Sequence, residues 1–239
     1  MRESVRAAFV PFTAAFEGVV PWMYLDVKGL VTVGIGNLCD PIQYATPLPF
    51  VDRVTGAPAD RDAIMREWMR VKSDASLARL GHRAAERITN LRLTPEGIEL
   101  VAGRKLEQND AHLRGRFPDF EDWPACAQLA THSMAWACGP AFRFDRLQLA
   151  LRMADFATAS LECHMNEAGN PGLVPRNVAN KILYRNAERV RDFKLDPDTL
   201  DWTHDLSVSA IPTQPSPLSE EETGSGGIVH VSRYDREPE

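Results

Sequence analysis

The sequence predicts an α+β fold, mostly α, with one small β-sheet near the N-terminus. Two observations predict it. Apolar residues recur at three- and four-residue spacing through most of the chain, the signature of helices buried along one face. Period-two alternation is confined to residues 22–36, where Val27-Lys28-Gly29 interrupts it as a hairpin turn would. The chain has 239 residues, 44% of them apolar, enough to enclose one core in one lobe or in two.

Residues 3–17 are the first expected helix, with Val5, Phe9, Phe12 and Phe16 at helical spacing. Pro11 falls inside this pattern and would kink or split it. Gly18 follows as a C-cap. Strands are expected at 22–26 and 30–36. Residues 38–60 contain Pro41, Pro47, Pro49 and Pro58 and read as a long irregular connection. Helical spacing resumes at about 60–80, 82–89, 95–114, 123–138, 144–151, 154–167 and 175–193. Thr94 is an N-cap and Pro95 a first helical residue. Residues 169–173, GNPGL, break the chain before the last helix.

From about residue 207 Pro, Ser, Thr, Glu and Gly dominate. Such a segment cannot bury enough apolar surface to order itself, so 207–239 is expected to be a disordered acidic tail and 1–206 a single domain. The formal charge of −6 has the same origin: residues 1–200 hold 25 acidic and 25 basic side chains, whereas 201–239 hold 8 acidic and 2 basic. A body of zero net charge is not a bulk nucleic-acid binder, and no nucleic-acid partner is expected. No apolar run approaches the ~20 residues of a membrane span. The stretch MRESVRAAFVPF has no clean apolar region followed by a small-residue cleavage site. The expectation is synthesis in the cytoplasm without a general-secretion signal peptide.

Cys39, Cys126, Cys138 and Cys163 show no metal-ligand spacing. Cys126 and Cys138 lie in apolar helical sequence and read as free thiols, a single structural disulfide being the alternative. His82, His112, His132 and His164 have no Cys or His partner at metal spacing, so no metal and no cofactor is expected. Met134, Trp136 and Phe142 read as core. Residues 104–116, RKLEQNDAHLRGR, read as a solvated helix face.

Chemistry concentrates in FEGVVPWMYLDVKGLVTVGIGN, residues 16–37. Glu17 ends the first helix, where the macrodipole disfavours a carboxylate. Asp26 closes the first strand, a common place for a turn aspartate. On the second strand Thr32, Gly34 and Gly36 would share one face and Val31, Val33 and Ile35 the other. Two glycines on one face leave bare backbone, which suits either a polymer lying along it or a bulge or tight packing. Two carboxylates flanking a groove are what glycosidic cleavage requires. One protonates the leaving oxygen, and the other activates water or stabilises the developing positive charge. The acid needs a raised pKa, which partial burial provides.

Eight residues separate Glu17 from Asp26 and five separate Asp26 from Thr32. This spacing, with Gly18, Tyr24, Gly29, Gly34 and Gly36 in place, resembles the catalytic segment of the phage-type lysozyme family of muramidases. Residues 129–142 resemble the family's buried central helix, and 170–184 the segment opening the last helix of its large lobe. The resemblance spans roughly residues 9–192 and is densest in 16–37.

It implies a lysozyme-like two-lobed fold: a small β-hairpin lobe at about 18–60, and a larger helical lobe at about 61–200 together with the first helix. It implies a peptidoglycan hydrolase that cleaves the β-1,4 bond between N-acetylmuramic acid and N-acetylglucosamine without a cofactor. Glu17 would be the general acid, with Asp26 and Thr32 positioning water. Gly34, Gly36, Asn37, Tyr24 and Arg176 would line the substrate site. Arg176 matches an arginine that packs near the family's catalytic glutamate; an ordinary first-turn surface arginine is the equal alternative.

Three features depart from the family. Residues 38–92 are longer and richer in proline, Asn37 stands where a histidine is frequent, and the body lacks the basic charge that suits an anionic wall. The expected partners are peptidoglycan glycan strands, with an immunity protein or delivery machinery if the chain is a secreted antibacterial effector. If it is a phage or prophage endolysin, it would reach the periplasm and wall by holin-dependent release. A monomer is expected. Two other readings stay open: a catalytically inactive wall-binding or structural protein on the same fold, and a related glycosidase acting on chitin or chitosan.

Overall fold

Fifteen residues without a glycine, Glu3–Glu17, form α1, which runs continuously through Pro11. Gly18 takes φ +69°, a left-handed conformation that ends the helix and costs a residue without a Cβ little. The structure, a computed structural model, describes residues 1–168, 170 and 172–200. The expected 207–239 tail, and residues 201–206 of the expected domain, lie outside the described residues. The chain is α+β and mostly helical, with small antiparallel sheets. No described helix is long and apolar enough to cross a membrane. Two compact units form: Glu17–Lys105, and Met1–Phe16 with the described residues from Leu106 onward.

In the unit Glu17–Lys105, β1 (Val20–Leu25), β2 (Val31–Gly34) and β3 (Asn37–Leu38) make an antiparallel sheet in that order. Tyr24 pairs with Thr32 and Leu25 with Val31; on the other side Val33 pairs with Asn37. The strand expected at 30–36 ends at Gly34, where a tight turn through residues 35 and 36 leads into β3. Gly34 (φ +68°) and Gly36 (φ +82°) supply the positive φ the turn needs. The connection expected to be irregular holds a further strand, β4 (Phe50–Asp52), paired with β5 (Leu91–Leu93), which periodicity missed.

The helix expected at 60–80 divides at Asp74–Ser76 into α2 (Arg61–Ser73) and α3 (Leu77–Leu80); α4 (His82–Ile88) follows. Asp60 caps α2 by accepting the Ala63 amide at 2.7 Å. Glu67, 3% exposed, accepts the amides of Asn90 (2.6 Å) and Leu91 (2.8 Å), tying α2 to the start of β5. Burial pushes its carboxyl above the ordinary range, against those two bonds. Met23, Val31, Val33, Ile35, Phe50, Ile64 and Val71 are buried around the two sheets.

Helix α5 (Pro95–Arg116) opens as expected, Thr94 Oγ1 accepting the Gly97 amide at 3.1 Å. Its residues 104–116 are not a wholly solvated face. Leu106, Asn109, Asp110 and Leu113 are buried at helical spacing.

In the other unit the centre is α6 (Ala125–Cys138), in which every residue from Ala125 to Ala137 is buried. A helix enclosed all round needs small side chains for close approach, and alanine dominates this one. Helix α9 (Leu173–Asp192) packs along it, α8 (Phe156–Glu162) packs on α9, and α7 (Asp145–Arg152) on α8. Phe9 of α1 packs edge-on to Trp136 at 5.1 Å between ring centroids, and Phe120 likewise to Trp123 at 5.0 Å. Two polar contacts cross this interior: Thr131 and Tyr184 hydroxyls lie 2.9 Å apart, and the Gln128 amide donates to the Phe120 carbonyl at 2.9 Å. Met134, Trp136 and Phe142 are core residues, as the sequence suggests.

Candidate functional site

The motif residues fall on the sheet-bearing unit, and the turn glycines explain its shape. Glu17 is half-buried at the end of α1, with Oε1 out of solvent contact. Asp26 follows β1 and builds its own turn. Its Oδ1 accepts the amides of Lys28 and Leu30, both at 2.9 Å, while its carbonyl accepts the Gly29 amide at 2.9 Å. Gly29 takes φ +73° there. The aspartate's ordinary turn role and its expected chemical role thus fall on one side chain.

Thr32 is 4% exposed and donates to the Leu30 carbonyl at 3.3 Å. Register sets Tyr24 directly opposite it, so the two side chains share a face of the sheet. Tyr24 is 1% exposed, its ring edge-on to His82. Asn37 is buried beside the β2–β3 turn: its Nδ2 donates to the Val101 carbonyl at 3.4 Å, and its Oδ1 has no hydrogen-bond partner among the described residues. A Cβ on Gly34 would come within 3.0 Å of that Oδ1. The glycine allows the asparagine to lie flat against the turn.

One structure therefore gathers Tyr24, Asp26, Thr32, Gly34, Gly36 and Asn37 on a three-stranded sheet, with Glu17 at the entry to it. Arg176 belongs to the other unit. It is 2% exposed, so the surface alternative falls, and its guanidinium lies over the Phe16 ring at 5.2 Å. Asn177, next along α9, holds the chain before it by pairing with both the amide and the carbonyl of Met165.

Two residues that no motif marks also touch the Asp26 turn. Lys72 Nζ donates to the Gly29 carbonyl at 2.8 Å and to Asp40 Oδ2 at 2.6 Å, and that oxygen also accepts the Val31 amide at 3.1 Å. No local pattern could have paired them, because they stand far apart in the sequence.

The remaining titratable groups read structurally. His132 is wholly buried, with Nε2 3.2 Å from Asp110 Oδ1, and Arg114 Nε lies 2.9 Å from Asp110 Oδ2. Burial holds the imidazole below its usual pKa despite Asp110. Burial would raise the Asp110 carboxyl, but His132, the chain amine and Arg114 together hold it below the usual range. None of the four cysteines is in a disulfide. Burial pushes the thiol of Cys39 up to about 12 and that of Cys163 up to about 11, which leaves both unreactive. Among the described residues no group of three His, Cys, Asp or Glu side chains could hold a metal ion.

Comparison of the chain with family models, with curated proteins and with solved structures returned no match. The case for a function rests on the residues themselves.

Proposed function

We propose that the chain is a peptidoglycan hydrolase of the phage-type lysozyme class, with a lysozyme-like fold. It cleaves the β-1,4 bond between N-acetylmuramic acid and N-acetylglucosamine. One observation carries the proposal: a carboxylate at a helix end leads directly into a sheet whose first turn is built on a second carboxylate, with a hydroxyl on the next strand.

Glu17 is the general acid. It ends α1 where the chain turns into the sheet, so a half-buried carboxyl stands at the head of the hairpin that carries Asp26. Asp26 is locked through Oδ1 by two amides, so its carboxylate has a fixed direction from which to orient water or face developing positive charge. Thr32 adds a hydroxyl on the same hairpin. Tyr24 and Asn37, buried on the same sheet, act as positioning residues. The setting of action is the bacterial wall, reached by holin-dependent release or by a dedicated secretion machine.

The test is digestion of purified peptidoglycan by wild type and Glu17→Gln, with mass spectrometry of the soluble products. Muropeptides ending in reducing N-acetylmuramic acid, absent with a folded Glu17→Gln protein, are expected. Equal release by that variant would overturn the role of Glu17, and no release by wild type would overturn the substrate.

A further inference from the structure

The hairpin that bears Asp26 is held from outside by the long connection that follows it. Leu30 is the key residue, because its amide holds Asp26 Oδ1. On one side of it the Gly29 carbonyl takes a hydrogen bond from Lys72, and on the other the Val31 amide gives one to Asp40. Lys72 and Asp40 close the loop with their own 2.6 Å contact. One turn earlier on the same face of α2, Trp68 Nε1 donates to the Cys39 carbonyl at 2.8 Å, so α2 meets the segment 29–40 with two donors four residues apart.

We propose that Lys72, through Asp40 and the Gly29 carbonyl, is a positioning residue for the Asp26 turn, and that α2 serves the proposed hydrolase as an external brace on its second carboxylate. This rests on the hydrolase reading. A lysine suits the task because one ammonium offers three donors and can meet a carbonyl and a carboxylate at once. The pair is partly shielded, with Asp40 12% and Lys72 36% exposed. The brace also gives the Pro-rich stretch after residue 38 a purpose in the same unit. It carries Asp40 and delivers α2 back to the hairpin.

The test compares Lys72→Met with Glu67→Gln. Both loosen α2, but only the first touches the turn. Each is assayed for kcat and KM on purified peptidoglycan, with exchange of the Leu30 and Val31 amides followed by NMR. Lys72→Met is expected to lower kcat about tenfold or more with KM little changed, since small displacements of a reacting group weigh on the chemical step. It is also expected to speed exchange at Leu30 and Val31; Glu67→Gln does neither.

A folded Lys72→Met protein with wild-type kcat, or an equal loss in both variants, would overturn the inference while leaving the hydrolase standing. Wild type without activity on peptidoglycan or chitosan overturns both. If Lys72→Met does not fold, Asp40→Asn is read in the same way, because it keeps an oxygen for Val31 and removes the charge that Lys72 meets.

Discussion

Asp26 accepts the amide of Leu30 at 2.9 Å, so the carboxylate marked out for chemistry also closes the turn that presents it. Side chains with two duties can be separated by substitutions that remove one duty at a time.

Asp26→Asn keeps an oxygen able to accept both amides but loses the negative charge. It is expected to melt within a few degrees of wild type and to lose wall hydrolysis. Asp26→Ala gives up both turn bonds and should cost about 1–2 kcal/mol as well. Thermal unfolding and muropeptide release, measured on both variants, check the separation.

Gly34 and Gly103 should respond to alanine with opposite signs. Gly34 has φ +68° and Asn37 Oδ1 pressed against it, so Gly34→Ala is expected to destabilise by about 1–2 kcal/mol. Gly103 lies inside α5 with open space where a Cβ would go, and Gly103→Ala is expected to stabilise by about 0.5–1 kcal/mol. Urea unfolding of the two variants decides the matter.

Buried His132 and Asp110 make acid destabilising. Both have folded pKa values below their unfolded ones, so the native state binds fewer protons and loses stability as pH falls. The His132 contribution is fully present above about pH 6.5 and fades below it; that of Asp110 fades below about pH 4. Melting temperatures across pH 4–8 should fall on the acid side. His132→Gln should flatten the part of the fall between pH 6.5 and 5, and an unchanged slope would show that other groups govern it.

The Thr131–Tyr184 contact joins α6 to α9 inside the core. Tyr184→Phe is expected to cost about 1–2 kcal/mol, because the Thr131 hydroxyl stays buried but keeps its 2.8 Å bond to the Ala127 carbonyl. Combining it with Thr131→Val should cost less than the sum of the two. A double-mutant cycle measures the coupling.

Long periodic segments were the most legible part of the fold. The sequence marks the span of α1 to the residue and those of α5 and α6 closely, because each runs over several turns. Strands β4 and β5 escaped because each is three residues long and its partner is remote in sequence. Val33-Gly34-Ile35-Gly36 alternates like a strand, and only the backbone angles reveal a turn. At the candidate site the sequence marks Glu17 at a helix end and Asp26 and Thr32 on one hairpin, and the structure has them there. The burial of Arg176 was not legible, since an arginine in a helix's first turn carries no sign of what covers it. The Lys72–Asp40 pair was invisible for the same reason: sequence records spacing, not tertiary approach.

The distribution of thiols gives the molecule its own pair of clocks. Cys39 is sealed in the sheet-bearing unit, and Cys126 and Cys163 are sealed in the helical one, while Cys138 is partly open. A thiol reagent in excess should mark Cys138 at once and reach each of the others only when its surroundings open. Reading the delays separately would tell whether the two halves of the chain breathe together or apart, with no foreign label added.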